Sequence, residues 1–467
     1  MKNFKLPDTL VLIFTFVVMA AVLTWILPGG SYERIEKDGR SLLVPESFQN
    51  VENVPQGLSD VLKAPIKGFI EAADIIAFIF FVGGAFVLIQ KTGALDALIH
   101  RIVAAHSKSS IIRIILIPLT MIVFSTFGAV FGMSEELIPF ILIFVPLAIS
   151  LGYDSIVGVA IPFVAAGAGF AGAYLNPFTV GIAQGIAELP PFSGWEYRIF
   201  VWLAATLTAI FFVLWYGRKI KKDPEASPVY KIDEYWRKRA ESSEEKGPDA
   251  KLSGRHLLIL IIFLLAIVLL IAGVSLAGWF IIEIAALFLG TAVVIGLVSS
   301  LTVNEIAEAL LDGAKEMMRV AFIIALARAI LVICLDGRIL DTILREVSGW
   351  IGGTQPVIAA QMMFIVQSVI NVFIPSGSGQ AALVMPIMAP LSDLLGVTRQ
   401  TAVLAFQMGD GFTNLIIPTS GVTMGVLGIA RIPWEKWFSW MWPLQIIFFV
   451  LALLLLIPPV LLNWGPF

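Results

Sequence analysis

The chain reads as an all-α polytopic membrane protein made of two inverted-topology repeats, with about nine transmembrane helices and two re-entrant hairpins. Three observations lead there. Of 467 residues, 58% are hydrophobic and 14% charged, with a mean hydropathy of +0.92, far outside the balance of a soluble domain. An offset of 244 residues lays Phe131-Gly-Met-Ser-Glu-Glu-Leu-Ile-Pro139 over Pro375-Ser-Gly-Ser-Gly-Gln-Ala-Ala382, and carries Gly93 to Gly337, Ser134 to Ser378, Pro146 to Pro390 and Gly152 to Gly396. Both copies place Gly- and Ser-rich polar breaks inside apolar runs, the pattern expected where a small molecule is held between two repeats in a bilayer.

About 20 apolar residues cross a bilayer. Nine segments can do so, near 9 to 28, 69 to 90, 154 to 187, 197 to 217, 256 to 275, 278 to 299, 317 to 335, 399 to 430 and 438 to 462. The first follows Lys2 and Lys5, is too long for a signal-peptide core and lacks a small-residue cleavage site, so it is expected to be retained. Two more apolar stretches, 110 to 150 and 354 to 396, are interrupted at their centres and fit hairpins that enter and leave on one side.

Basic residues set the orientation. Arg218, Lys219, Lys221, Lys222, Arg237, Lys238 and Arg239 place the 218 to 255 segment in the cytoplasm. Its charge and low apolar content read as a linker without a fold of its own between a first half, 1–217, and a second half, 256–467. Counting spans from there puts the N-terminus inside and the C-terminus outside, in an inner, cytoplasmic membrane. The first hairpin then opens from the cytoplasm and the second from outside. Leu95, Ile99 and Val103, repeated as Ile339, Ile343 and Val347, form apolar stripes on helices joining scaffold to hairpin. Trp434, Trp437, Trp440 and Trp442 read as an interfacial aromatic belt.

After each hairpin comes a span broken by glycine, proline and polar residues: Gly167-Ala-Gly169 through Asn176-Pro-Phe-Thr179, and Gly409-Asp-Gly411 through Thr413-Asn414 to Pro418-Thr-Ser420. Proline removes a helical donor and glycine permits unwinding. Backbone freed at that depth is tolerated only against protein, water or a ligand. Candidate substrate- and ion-binding residues are therefore Gly132, Ser134, Glu135 and Glu136 at the first tip, and Ser376, Gly377, Ser378, Gly379 and Gln380 at the second. Asn176, Thr179, Asp410, Thr413, Asn414, Thr419 and Ser420 join them at the breaks. Half-helix N-termini suit carboxylates, and unwound carbonyls suit sodium ions or protons.

These hairpin motifs and broken spans, with the opening Leu6-Pro-Asp and Trp25-Ile-Leu-Pro-Gly-Gly-Ser-Tyr-Glu-Arg34, resemble the DcuC/YfcC-type carriers of the ion transporter superfamily. The resemblance covers nearly everything outside 218–255. It implies paired hairpins, a homodimer and elevator-type alternating access, as in the related dicarboxylate/sodium symporters and aminobenzoyl-glutamate carriers. The Ser-Asn-Thr signature of those symporters is absent, and Ser134-Glu135-Glu136 and Ser376-Gly-Ser-Gly-Gln380 stand in its place.

An ionisable group inside a membrane marks function by default. Glu135, Glu136 and Asp410 would gather negative potential suited to a cationic substrate group, sodium or a proton. The superfamily includes carriers proposed to exchange arginine and ornithine, and these three acids favour a basic amino acid over a C4-dicarboxylate, with a channel a distant third. Arg328 is expected to pair with Glu283, with a substrate carboxylate as its second reading, and Asp74 to be wetted at its span's outer end.

An enzyme is disfavoured, because His100, His106 and His256 sit at segment ends away from the tip serines and no His-Glu-x-x-His pattern occurs. No cofactor, and no metal beyond sodium, is expected. The partners expected are the small substrate, the lipid bilayer and a second copy of the chain; a net charge of -3 offers nothing to nucleic acid. Cys334, the single cysteine, excludes an internal disulfide.

Overall fold

The computed structural model describes all residues except 1–8, 38–39, 45–46, 245–252, 278, 280, 350–353 and 466–467. Lys2, Lys5, the Leu6-Pro-Asp opening and both chain ends therefore lie outside the described residues. Seven of the described helices are long and apolar enough to cross a membrane. Trp195–Lys222 shows why these helices are apolar all round: Val201, Ala205, Ala209 and Tyr216 are buried, while Phe200, Leu203, Leu207 and Phe211 are equally apolar and face outward.

Helices fall on each apolar segment, with informative differences. The span placed at 69 to 90 begins much earlier, as Leu58–Glu71, and steps at Ala72 into Ala73–Lys91. Its counterpart at 317 to 335 is the last part of Val303–Asp336, 34 residues long, or about 51 Å. That exceeds a hydrocarbon core of about 30 Å, and its polar first turns begin with a Thr302/Glu305 capping box. The two long elements pack along each other through small residues. A Cβ on Gly68 would lie 2.3 Å from the Ala325 carbonyl oxygen, and one on Gly313 would lie 2.3 Å from that of Gly83. Thr9–Ile26 packs on Val303–Asp336, and Ile281–Val298 packs on Ala73–Lys91.

Both interrupted stretches fold back on themselves. In the first hairpin, Ser110–Phe131 and Ile138–Ser150, Phe124 stacks edge-on against Phe140 and Phe144 at 5.0 and 5.4 Å. The open end is closed by Ile99, Leu147 and Leu151 with Val103 and Leu116. In the second, Pro356–Phe373 and Gly377–Leu394, the ends meet where Gly396 would place a Cβ 3.6 Å from Pro356. Gly152 and Gly396, the same offset apart, both turn the chain with positive φ, at +81° and +68°.

The hairpins enter from opposite ends of Trp195–Lys222. Tyr153, just past the first hairpin, lies against Gly217 and under the Lys221 ammonium, 4.2 Å from its ring centroid. Gln400 and Trp464, beside the base of the second, lie against Gly194.

Beside its helices the chain carries two small antiparallel ladders, Gly29–Ser31 with Gln49–Val51 and Arg34–Lys37 with Arg40–Leu43. Two expectations need correction. The 218 to 255 linker is built into the fold as far as residue 244: Asp154 accepts from Tyr216 at 2.5 Å and Ser227 at 2.7 Å, Asp233 accepts from the Ser155 N–H at 2.9 Å, and the Trp236 indole donates to the Ala430 carbonyl at 3.1 Å. A few anchors dock a chain whose composition is mostly charged. Finally, Trp434 and Trp437 are not belt residues. Their indoles donate to the Ile416 and Leu415 carbonyls at 2.9 and 2.8 Å, satisfying backbone freed by the second break.

Candidate functional site

Each hairpin tip is shaped by what its arms leave unsatisfied. The first arm of hairpin one ends at Gly132, whose φ is +68°. A Cβ there would lie 2.6 Å from the Asn176 carboxamide oxygen, so this tip abuts the first break directly. The chain then makes a short turn, Glu135–Leu137, and the Glu136 carboxylate accepts the Ser134 N–H at 2.9 Å. In hairpin two the Ser376 hydroxyl caps Gly377–Leu394 by accepting the Gly379 N–H at 3.3 Å. Gln380 donates to the Gln367 carbonyl and side-chain oxygens at 3.0 and 2.8 Å, which ties the two arms together.

Both following spans break and restart. The first runs Ser155–Ala171 with a wide turn through Ala160–Val164, unwinds, and resumes at Pro177. The second runs Arg399–Thr413, unwinds, and resumes as Gly421–Ala430. Asn176 and Ser420, again one repeat offset apart, cap the restarted helices. Asn176 accepts the Phe178 and Thr179 N–H groups at 2.9 and 3.3 Å, and Ser420 accepts that of Thr423 at 3.4 Å. The spans lock where Gln407 donates to the Phe170 carbonyl at 2.6 Å and Gly411 meets Ala171.

A cavity of about 270 Å³ lies where the two tips and two breaks converge. Ten of the candidate residues line it: Gly132, Ser134, Glu135, Glu136, Thr179, Ser376, Gly377, Ser378, Asn414 and Ser420. Asn176, Gly379, Gln380, Asp410, Thr413 and Thr419 are not on its wall. Asn176, Gly379 and Gln380 serve the caps and arms just described.

Asp410 lies behind the second tip. It is fully buried, one carboxylate oxygen accepts from Asn414 at 3.0 Å, and the other has no hydrogen-bond partner among the described residues. That free oxygen is 3.1 Å from where a Gly377 Cβ would be. The buried Thr179, Thr413 and Thr419 hydroxyls also lack partners there.

Glu71, which the sequence reading passed over, shares the cavity wall with Asp74 and Arg328. Glu71 and Asp74 flank the step at Ala72, where one helix ends and the next begins. Arg328, expected to pair with Glu283, takes Glu71 as its partner, Nε to Oε2 at 3.1 Å. The cluster Glu71-Ala-Ala-Asp74 at a span's edge was the available signal, and it looks the same as an ordinary wetted helix end.

Apolar helices, hairpins from opposite ends and one polar cavity at paired helix breaks define a multi-pass membrane transporter. The chain belongs to the C4-dicarboxylate anaerobic carrier family, DcuC, whose model matches residues 6–460. It is 36% identical to Escherichia coli (strain K12) YfcC, provisionally named a basic amino acid antiporter, over 94% of this chain and 93% of that one. An uncharacterised Haemophilus influenzae protein is 29% identical over 95% and 94%. Among solved structures, the Alcanivorax borkumensis YdaH transporter aligns with a TM-score of 0.42 at 16% identity, over 98% of this chain and all of that one. The Neisseria gonorrhoeae efflux pump MtrF aligns with 0.43 at 18%, over 97% and 95%.

Proposed function

We propose that the chain is a secondary active carrier of a basic amino acid, by arginine/ornithine-type exchange or ion-coupled uptake. One observation carries this reading: four carboxylates, Glu71, Asp74, Glu135 and Glu136, share the cavity wall with a single cationic side chain, Arg328. A C4-dicarboxylate entering there would meet like charge at close range, whereas a guanidinium or ammonium would find partners. The provisional name of the E. coli relative points the same way. Helices restarting at Gly377 and Gly421 offer N-terminal N–H groups for the substrate carboxylate. Asp410, with its unpartnered oxygen behind the tip, is suited to the coupling sodium ion or proton.

The carrier works by elevator-type movement of the hairpins and broken spans against a homodimeric scaffold. It lies in the inner membrane, N-terminus inside and C-terminus outside, with 1–217 and 256–467 as inverted repeats. The reciprocal packing of Thr9–Ile26 on one long element and Ile281–Val298 on the other supports the pseudo-two-fold relation.

Thermal unfolding of the purified protein with arginine, ornithine, succinate and fumarate tests the reading. Arginine and ornithine are expected to raise the midpoint, since a ligand at about 100 times its Kd adds about 2.7 kcal/mol. Glu135→Gln or Glu136→Gln should remove that shift. Ser378→Ala should weaken binding about tenfold or more, as loss of a hydrogen bond to a charged ligand does, while Asn176→Ala should cost about 1 kcal/mol of stability through its cap. Shifts with succinate or fumarate alone would favour the dicarboxylate reading.

A further inference from the structure

Neither the hairpin tips nor the Asp410 site accounts for the Glu71–Arg328 pair. Both side chains stand on the long scaffold elements and both line the cavity. They meet through one contact, Arg328 Nε to Glu71 Oε2 at 3.1 Å, with side chains 40% and 39% exposed. A half-exposed pair held by a single hydrogen bond adds little to stability, so it can open at small cost. The contact engages only the Nε donor, and a guanidinium has a further planar set of N–H groups that matches a carboxylate.

We propose that the Glu71–Arg328 pair is the headgroup subsite for a zwitterionic α-amino acid. The ligand carboxylate takes the Nη edge of Arg328, and the ligand α-ammonium takes the Glu71 carboxylate, so both charges of the opened pair are satisfied again. The ligand's side-chain cation is then left to Asp74, Glu135 and Glu136 on the same cavity wall. This rests on the basic-amino-acid reading and adds to it: the carrier selects free amino acids over amines and acids that carry the same side chain. The N–H groups at the start of Gly377–Leu394 are the competing place for the carboxylate.

Calorimetric titration of the purified full-length protein with three ligands separates these cases: arginine, agmatine, which lacks the carboxylate, and 5-guanidinopentanoate, which lacks the α-amino group. The unmodified protein should bind arginine about tenfold or more tightly than either analogue, a charge-assisted hydrogen bond being worth at least that. Arg328→Ala should erase the advantage over agmatine while agmatine still binds, and Arg328→Lys should restore part of it. Glu71→Gln should erase the advantage over 5-guanidinopentanoate. If arginine binds but both ratios survive both variants, the subsite is wrong and the basic-amino-acid reading stands. If the unmodified protein binds none of the three, both are wrong.

Discussion

Asp410→Asn is expected to abolish the response of this carrier to its coupling ion while leaving the fold intact. Asparagine keeps the size of the side chain and the oxygen that accepts from Asn414 at 3.0 Å. It removes the charge at a fully buried position whose second oxygen has no partner among the described residues. Removing one member of a buried charge pair costs about 3 to 5 kcal/mol, which corresponds to about a hundredfold or more in ion affinity. Midpoints of unfolding measured with and without sodium, and across pH, would show the loss in whichever of the two ions the unmodified protein answers to. An ion response unchanged in Asp410→Asn would move the coupling site elsewhere.

Gly169→Val is expected to prevent assembly of the hairpin-one side of the cavity. A Cβ on Gly169 would lie 1.9 Å from the Ser125 carbonyl oxygen, and on the opposing helix a Cβ on Gly128 would lie 2.1 Å from that of Ala166. The two helices therefore approach through glycine in both directions, and neither obstacle is a flexible side chain that can swing aside. Overpacking costs about 1 to 3 kcal/mol where neighbours can relax, and backbone at this distance must move bodily. Size-exclusion chromatography in detergent should show the variant aggregated. Gly185→Ala, where a Cβ would meet nothing within 4 Å, should elute as the unmodified protein does.

The hairpins and breaks were legible because polar Gly/Ser clusters interrupt otherwise continuous apolar runs, and the 244-residue offset recurs in the structure. The broken spans begin at Ser155 and Arg399 and are capped after the break by Asn176 and Ser420, each pair that offset apart. What sequence could not supply was tertiary. Glu71 and Asp74 become cavity residues only because Leu58–Glu71 steps at Ala72 against Val303–Asp336, and an acid at a span's edge gives no sign of facing inward. Trp434 and Trp437 have the composition and position of a belt, and only the unwound Leu415 and Ile416 carbonyls reveal them as donors. Gln380, expected at the ligand, gives its amide N–H groups to Gln367 across the hairpin's arms, while its side-chain oxygen has no partner among the described residues.

The central claim is that an acidic cavity selects a basic amino acid, and counterflow in proteoliposomes tests it most directly. Vesicles holding the purified protein are loaded in turn with unlabelled arginine, ornithine, succinate or fumarate and diluted into trace labelled arginine, and separately into trace labelled succinate. The account predicts that labelled arginine accumulates transiently in vesicles loaded with arginine or ornithine and not in the others, and that Glu135→Gln or Glu136→Gln abolishes the overshoot. Accumulation of labelled succinate in succinate- or fumarate-loaded vesicles, with none of arginine under any loading, would contradict it.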